Sequence, residues 1–199
     1  MTEPSLLVAA SELPLIGAVL YAAIGAGRRS FGFPVLLCYV SALAGLGIAA
    51  GLGIVRYSGL GTQTVEAAHR FASTISAGTL FSLAGLALIL ANRDRPRWSV
   101  AIVIVAMLLG AAGTVLGLRD VSFPVASLLA FSIGLHSLLG VSCRGALLLF
   151  LATLAVIAMP LLGFLSPDLR IAMFHVALAG WVAALSYVLP SLGRARLSV

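Results

Sequence analysis

This 199-residue chain contains no lysine, and negative charge is scarce: six acidic residues stand against twelve basic ones, every one an arginine. Without a lysine amine there is no Schiff base to carry retinal, so a rhodopsin-type pigment is excluded. Charged residues make up only 9% of the chain and mean hydropathy is +1.16, so no stretch has the composition of a soluble domain. Cysteine is scarce too. Cys38 and Cys143 lie in apolar surroundings and offer neither a disulfide framework nor a CxxC pair. The segment MTEPS carries Glu3 and no basic residue, so no cleavable signal peptide is expected. A net charge of +6 carried by so few groups reports membrane topology rather than nucleic-acid binding.

What the chain has in abundance is apolar sequence, 61% of its residues, in runs long enough to cross a bilayer. The expectation is an all-α integral membrane protein with seven transmembrane helices forming one domain over residues 1–199. The spans read as Leu6 to Ala26, Phe33 to Val55, Val65 to Ala91, Trp98 to Leu118, Ser122 to Ser142, Ala146 to Phe164 and Leu169 to Leu189. The first contains Glu12 and Pro14 near its start. The second carries Gly45, Gly47, Gly51 and Gly53, a spacing that lets helices approach closely, within one chain or between copies in a homo-oligomer or larger membrane complex. Pro124, Pro160 and Pro190 fall near span ends, where proline is best tolerated.

Arginine placement sets the expected orientation. The loops after spans one, three and five and the C-terminal tail hold Arg28, Arg29, Arg93, Arg95, Arg97, Arg144, Arg194 and Arg196. The opposite side holds Arg56, Arg70, Arg119 and Arg170, with Glu3, Glu66, Asp120 and Asp168 beside them. The positive-inside rule then places the N-terminus outside and the C-terminus in the cytoplasm of a cell whose plasma membrane the chain spans.

Most of the chemistry-bearing residues gather where the third span opens, at Val65-Glu66-Ala67-Ala68-His69-Arg70-Phe71-Ala72-Ser73. On a helix Glu66 and His69 share a face, and Glu66 and Arg70 stand four apart and can pair. Ionisable groups in a membrane helix mark functional sites by default, although an ordinary interfacial ion pair would explain Glu66 and Arg70 equally well. His69 lies about 6 Å into its span and His175 about 9 Å into the seventh, both from the same face, whereas His136 lies roughly 21 Å deep in the fifth. Two histidines at matched depth on separate helices could clamp one metal, and a planar haem fits between the helices of a bundle. Zinc would need a third or fourth ligand at that level, for which Glu66 is the nearest candidate. His175 could also be no more than an interfacial packing residue.

The block Glu66-Ala67-Ala68-His69-Arg70 resembles the Glu-x-x-His-Arg signature of the haem A synthase family. Upstream, Val55-Arg56-Tyr57-Ser58-Gly59-Leu60-Gly61 is similar to the family's Val-Arg-x-Thr-Gly-Ser-Gly turn. Downstream, Met159-Pro160-Leu161-Leu162-Gly163 followed by Ala172-Met173-Phe174-His175 resembles the hairpin that carries its second ligand histidine. The resemblance spans roughly residues 34–188 and is strongest over 54–76. It implies haem b iron bound by His69 and His175, with Glu66 catalytic in oxidising a methyl group of haem O to the formyl of haem A. Arg56 and Arg70 would hold the propionates, as arginine–carboxylate pairs commonly do. Residues 33–192 would form the haem A synthase-like core and 1–30 an additional N-terminal helix. The chain departs from the family in having room for little more than one of its two four-helix halves and in lacking its long cysteine-bearing outer loop. Leu129 and Ala130 stand where another histidine would be expected. Three readings therefore stand: a haem-oxidising enzyme acting on haem O or another porphyrin; a non-catalytic haem b electron-transfer or structural subunit; and a zinc-dependent membrane hydrolase using Glu66 and the three histidines.

Overall fold

The structure, a computed structural model, describes residues 5–29, 31–92, 97–115, 119–139 and 141–194. Among these residues there is no strand. Seven α-helices follow one another: α1 (Leu6–Gly27), α2 (Phe33–Val55), α3 (Gln63–Ala91), α4 (Arg97–Val115), α5 (Arg119–Leu139), α6 (Cys143–Ala158) and α7 (Pro167–Arg194). Among the described residues five spans are long and apolar enough to cross a membrane: α1, α2 with the turn after it, α3, α6 continued through Leu161, and α7. The described apolar stretches of α4 and α5 are shorter, Trp98–Gly110 and Val125–Leu139. Apolar side chains such as Leu20, Ile24, Ile48, Leu147 and Leu151 are exposed along the outside, as lipid-facing surface requires. The chain is an all-α integral membrane protein. Glu3, Arg93, Arg95 and Arg196, used above to expect an orientation, lie outside the described residues.

Helix starts follow their capping residues. Ser5, Thr62 and Ser142 accept from the backbone N–H three residues on, opening α1, α3 and α6, and Pro34 occupies the first turn of α2. The sixth span ends earlier than expected, at Ala158. Pro160 brings no N–H to continue the ladder, and Met159–Leu161 tightens into a short 3-10 turn.

The helices α1, α2, α3, α5, α6 and α7 pack in a ring, and α4 lies outside it against α5 and α3. At the α3–α5 seam the backbones approach closely, since a Cβ on Gly134 would sit 2.6 Å from Gly85 Cα. Trp181 of α7 fills the centre, its ring 4.8 Å from Phe81 and 5.4 Å from Phe131, with its indole N–H donated to Thr153 of α6. The glycines of α2 face helices of the same chain: Gly45 meets Ser76, Gly47 meets Val19, and Gly53 meets Glu12 and His69, whereas Gly51 faces open space. At one end of the ring Ser5 donates its hydroxyl to Asp168 and its backbone N–H to Tyr57, tying α1 to α7 and to the turn after α2. At the other end Arg29 donates to the Ser186 carbonyl.

Candidate functional site

The site begins in the turn between α2 and α3. Residues Arg56–Leu60 form one wide helical turn that kinks at Gly59, at φ 85°, a conformation L side chains rarely adopt. This turn lays Arg56 and Tyr57 over the first turns of α3. The Arg56 guanidinium sits 5.0 Å from the Tyr57 ring, and that ring meets His69 edge-on at 5.7 Å. Arg56 Nη1 lies 3.0 Å from His69 Nδ1. A guanidinium can only donate, so Nδ1 accepts and a neutral His69 carries its proton on Nε2. That nitrogen lies 3.4 Å from Ser73 Oγ.

His175 is held by the opposite logic. Ser11 Oγ gives its one proton to the Val8 carbonyl at 2.7 Å and also lies 2.9 Å from His175 Nδ1. With its proton committed, Ser11 accepts from Nδ1–H, which leaves a lone pair on Nε2 of the neutral ring. That lone pair faces Glu12 Oε1 at 3.5 Å. Glu12 is 1% exposed, and its Oε2 is buried without a hydrogen-bond partner. Gly53 makes room for the carboxyl. A Cβ there would run into Glu12 Oε1 and stand 3.3 Å from His69 Nε2.

Both imidazoles and Glu12 line one cavity of about 600 Å³, together with Tyr57, Ser73 and Ser76 and otherwise mostly apolar side chains of the ring helices. A second, more open pocket of about 500 Å³ is lined by Arg56, His69, Arg70, Phe71, Ser73 and Thr74. His69 and Ser73 line both, so a cationic mouth adjoins an apolar chamber.

Of the residues singled out in the sequence, His69 and His175 both line the chamber, and Arg56 and Arg70 stand at its mouth. Glu66 stands outside the chamber lining, its Oε1 2.6 Å from Arg70 and 3.5 Å from Arg56. His136 is exposed on α5 and lines neither pocket. Among the described residues no group of three or more His, Cys, Asp or Glu side chains could hold a metal ion. The carboxyl inside the chamber is Glu12, the acid of span one, for which the sequence alone offers no partner. Its signal was depth: six residues past Leu6 it lies about 9 Å into its span, level with His175.

Comparison of the chain with protein-family profiles, with curated proteins and with solved structures finds no match. What the site defines by itself is an apolar intramembrane chamber with two imidazoles, one carboxyl and an arginine-lined mouth.

Proposed function

We propose that the chain is a membrane haem-binding protein, with haem b held between α3 and α7 by His69 and His175. The observation that carries this reading is the convergence of two imidazoles, from helices 106 positions apart in sequence, on one apolar chamber. The chamber volume falls in the range of sites that enclose a small cofactor. The donor set fits. His175 has Nδ1–H bonded to Ser11 and its Nε2 lone pair toward the chamber, the arrangement that orients a metal-ligating histidine. His69 can take the same tautomer, with its lone pair on Nε2, once Arg56 turns from Nδ1 to an anionic group at the mouth. A propionate is such a group, and a charge-assisted pair outbids a bond to a neutral ring. Arg56 and Arg70 would hold the propionates, and the apolar walls would exclude water from the macrocycle. Bound there, haem supplies one-electron redox chemistry whose potential burial and ligand hydrogen bonds tune. The arginine bias supports this end of the bundle facing the outside of the plasma membrane.

Oxidation of a haem O methyl group, with Glu66 as the catalytic acid, is the enzymatic extension of this reading and rests on the local resemblance over residues 54–76. Glu66 sits beside both mouth arginines, where it bears on how they meet a propionate. A haem b electron-transfer or structural subunit uses the same chamber without that step. The zinc hydrolase reading draws no support from a geometry that keeps Glu66 and His136 out of the chamber.

The decisive experiment is an absorption spectrum of the purified protein with a pyridine haemochrome assay. A low-spin Soret band is expected that His69→Ala or His175→Ala abolishes or shifts and His136→Ala leaves intact. Haem lost only in His136→Ala, or no haem in the wild type, would refute the reading.

A further inference from the structure

The wall of the chamber carries a hydroxyl that behaves unlike its neighbours. Within a helix, serine and threonine commonly donate to the carbonyl one turn back. On α3, Thr74 does so to Arg70, Thr79 to Ile75 and Ser82 to Gly78. Ser76 does not. It is 4% exposed, its Oγ has no hydrogen-bond partner, and it lines the chamber. Behind it stands Gly45 of α2, which offers no side chain. A buried hydroxyl left unpaired is disfavoured, so each such atom asks for a partner that binds from elsewhere. Ser76 lines the chamber, so a turn about its Cα–Cβ bond presents the hydroxyl to a partner bound there.

Position narrows what the partner is. Ser76 follows His69 by seven residues, two turns along the same face of α3 through Ser73, and so lies about 10 Å further from the mouth. Arg56 and Arg70 stand at the mouth itself. A ligand held by carboxylates at the arginines and by its metal at His69 turns its opposite edge toward Ser76.

We propose that Ser76 is a specificity-determining residue, receiving a hydroxyl or carbonyl oxygen on the edge of the bound tetrapyrrole opposite its carboxylates. This rests on the haem reading above. A serine hydroxyl both donates and accepts, so either oxygen completes it, whereas a vinyl or methyl group at that place leaves it unpaired.

The test titrates haem-depleted protein in detergent with two haems and follows the Soret band. Protohaem carries vinyl groups on the edge away from its propionates. Haematohaem carries 1-hydroxyethyl groups there instead. The wild type is expected to bind haematohaem roughly fivefold to tenfold more tightly, and Ser76→Ala to lose or reverse that preference, because the buried hydroxyethyl groups then find no partner. Ser76→Ala removes no hydrogen bond within the protein, so it folds, and Ser76→Thr, which keeps the hydroxyl, retains the preference. Equal binding of both haems by the wild type, or a preference that survives Ser76→Ala, overturns the proposal. Failure of the wild type to bind either haem overturns the haem reading itself, and the proposal with it, and is distinguished by the missing Soret band.

Discussion

Adding one methyl group at Gly53 separates the chamber's geometry from the general packing of α2. The Cβ of Gly53→Ala would strike Glu12 Oε1 and crowd His69 Nε2 at 3.3 Å, so it presses on both titratable walls at once. Overpacking a filled interior costs about 1–3 kcal/mol. The struck atom is the end of a side chain with three torsions beside a cavity, so the carboxyl swings and the cost falls near 1 kcal/mol, the lower end of that range. Gly51→Ala, two residues away on the same helix, meets nothing within 4 Å and gains up to about 1 kcal/mol of helix propensity. Gly53→Ala gains the same propensity, so the clash alone should separate the two variants, by about 2–4 °C in thermal midpoint in detergent, with Gly53→Ala the lower. Gly53→Ala should also weaken haem retention and shift the Soret band, because the displaced carboxyl abuts His175. Glu12→Ala removes the obstructing atoms, so the double variant Glu12→Ala/Gly53→Ala should lose less than the sum of the single losses. Indistinguishable midpoints for Gly53→Ala and Gly51→Ala, or strictly additive losses in the double variant, would refute this account of why position 53 is a glycine.

Two further outcomes follow from contacts at either end of the bundle. Pro190 has no N–H to give the Ser186 carbonyl four residues back, and Arg29 Nη1 takes that place at 3.0 Å. Arg29→Ala should thus lower stability by about 1–3 kcal/mol while the exposed Arg28→Ala changes little, and equal thermal midpoints would contradict it. At the mouth, Glu66→Gln should keep folding and bound haem, since Glu66 lies outside the chamber lining. If Glu66 is catalytic, haem extracted from cells should show conversion of haem O only with the wild type, and no oxidised haem from wild-type cells would leave a haem-binding subunit in its place.

The fold was legible because a bilayer permits few answers: recurrent apolar runs must close their backbone bonds as helices, and the seven segments could be delimited from composition. Phe33–Val55 was read to the residue, since Pro34 and the Arg56 turn punctuate both ends. Where bounds missed, a local contact decided. The seventh helix runs past Pro190 to Arg194, and Arg29 accepting the role of the missing N–H is what a single-sequence reading cannot foresee. The sixth stops at Ala158 because Pro160 acts before its apolar run ends.

The site was legible only as far as depth along a helix could be counted. Similar depth paired His69 with His175, and both line one chamber. The same count would have added Glu12, but depth carries no azimuth, and the direction in which α1 turns its acid is fixed by α1 lying against both α2 and α7. Glu66 shows the converse. Its i,i+4 spacing to Arg70 allowed a pair beside the catalytic role expected of it; that pair forms, and it turns Glu66 toward the mouth rather than the chamber. Ser76 was invisible, because serine in an apolar helix ordinarily satisfies itself on the preceding turn and so looks like any small residue. What distinguishes it is a bond it does not make, a property that exists only once the three-dimensional neighbours of its hydroxyl are known.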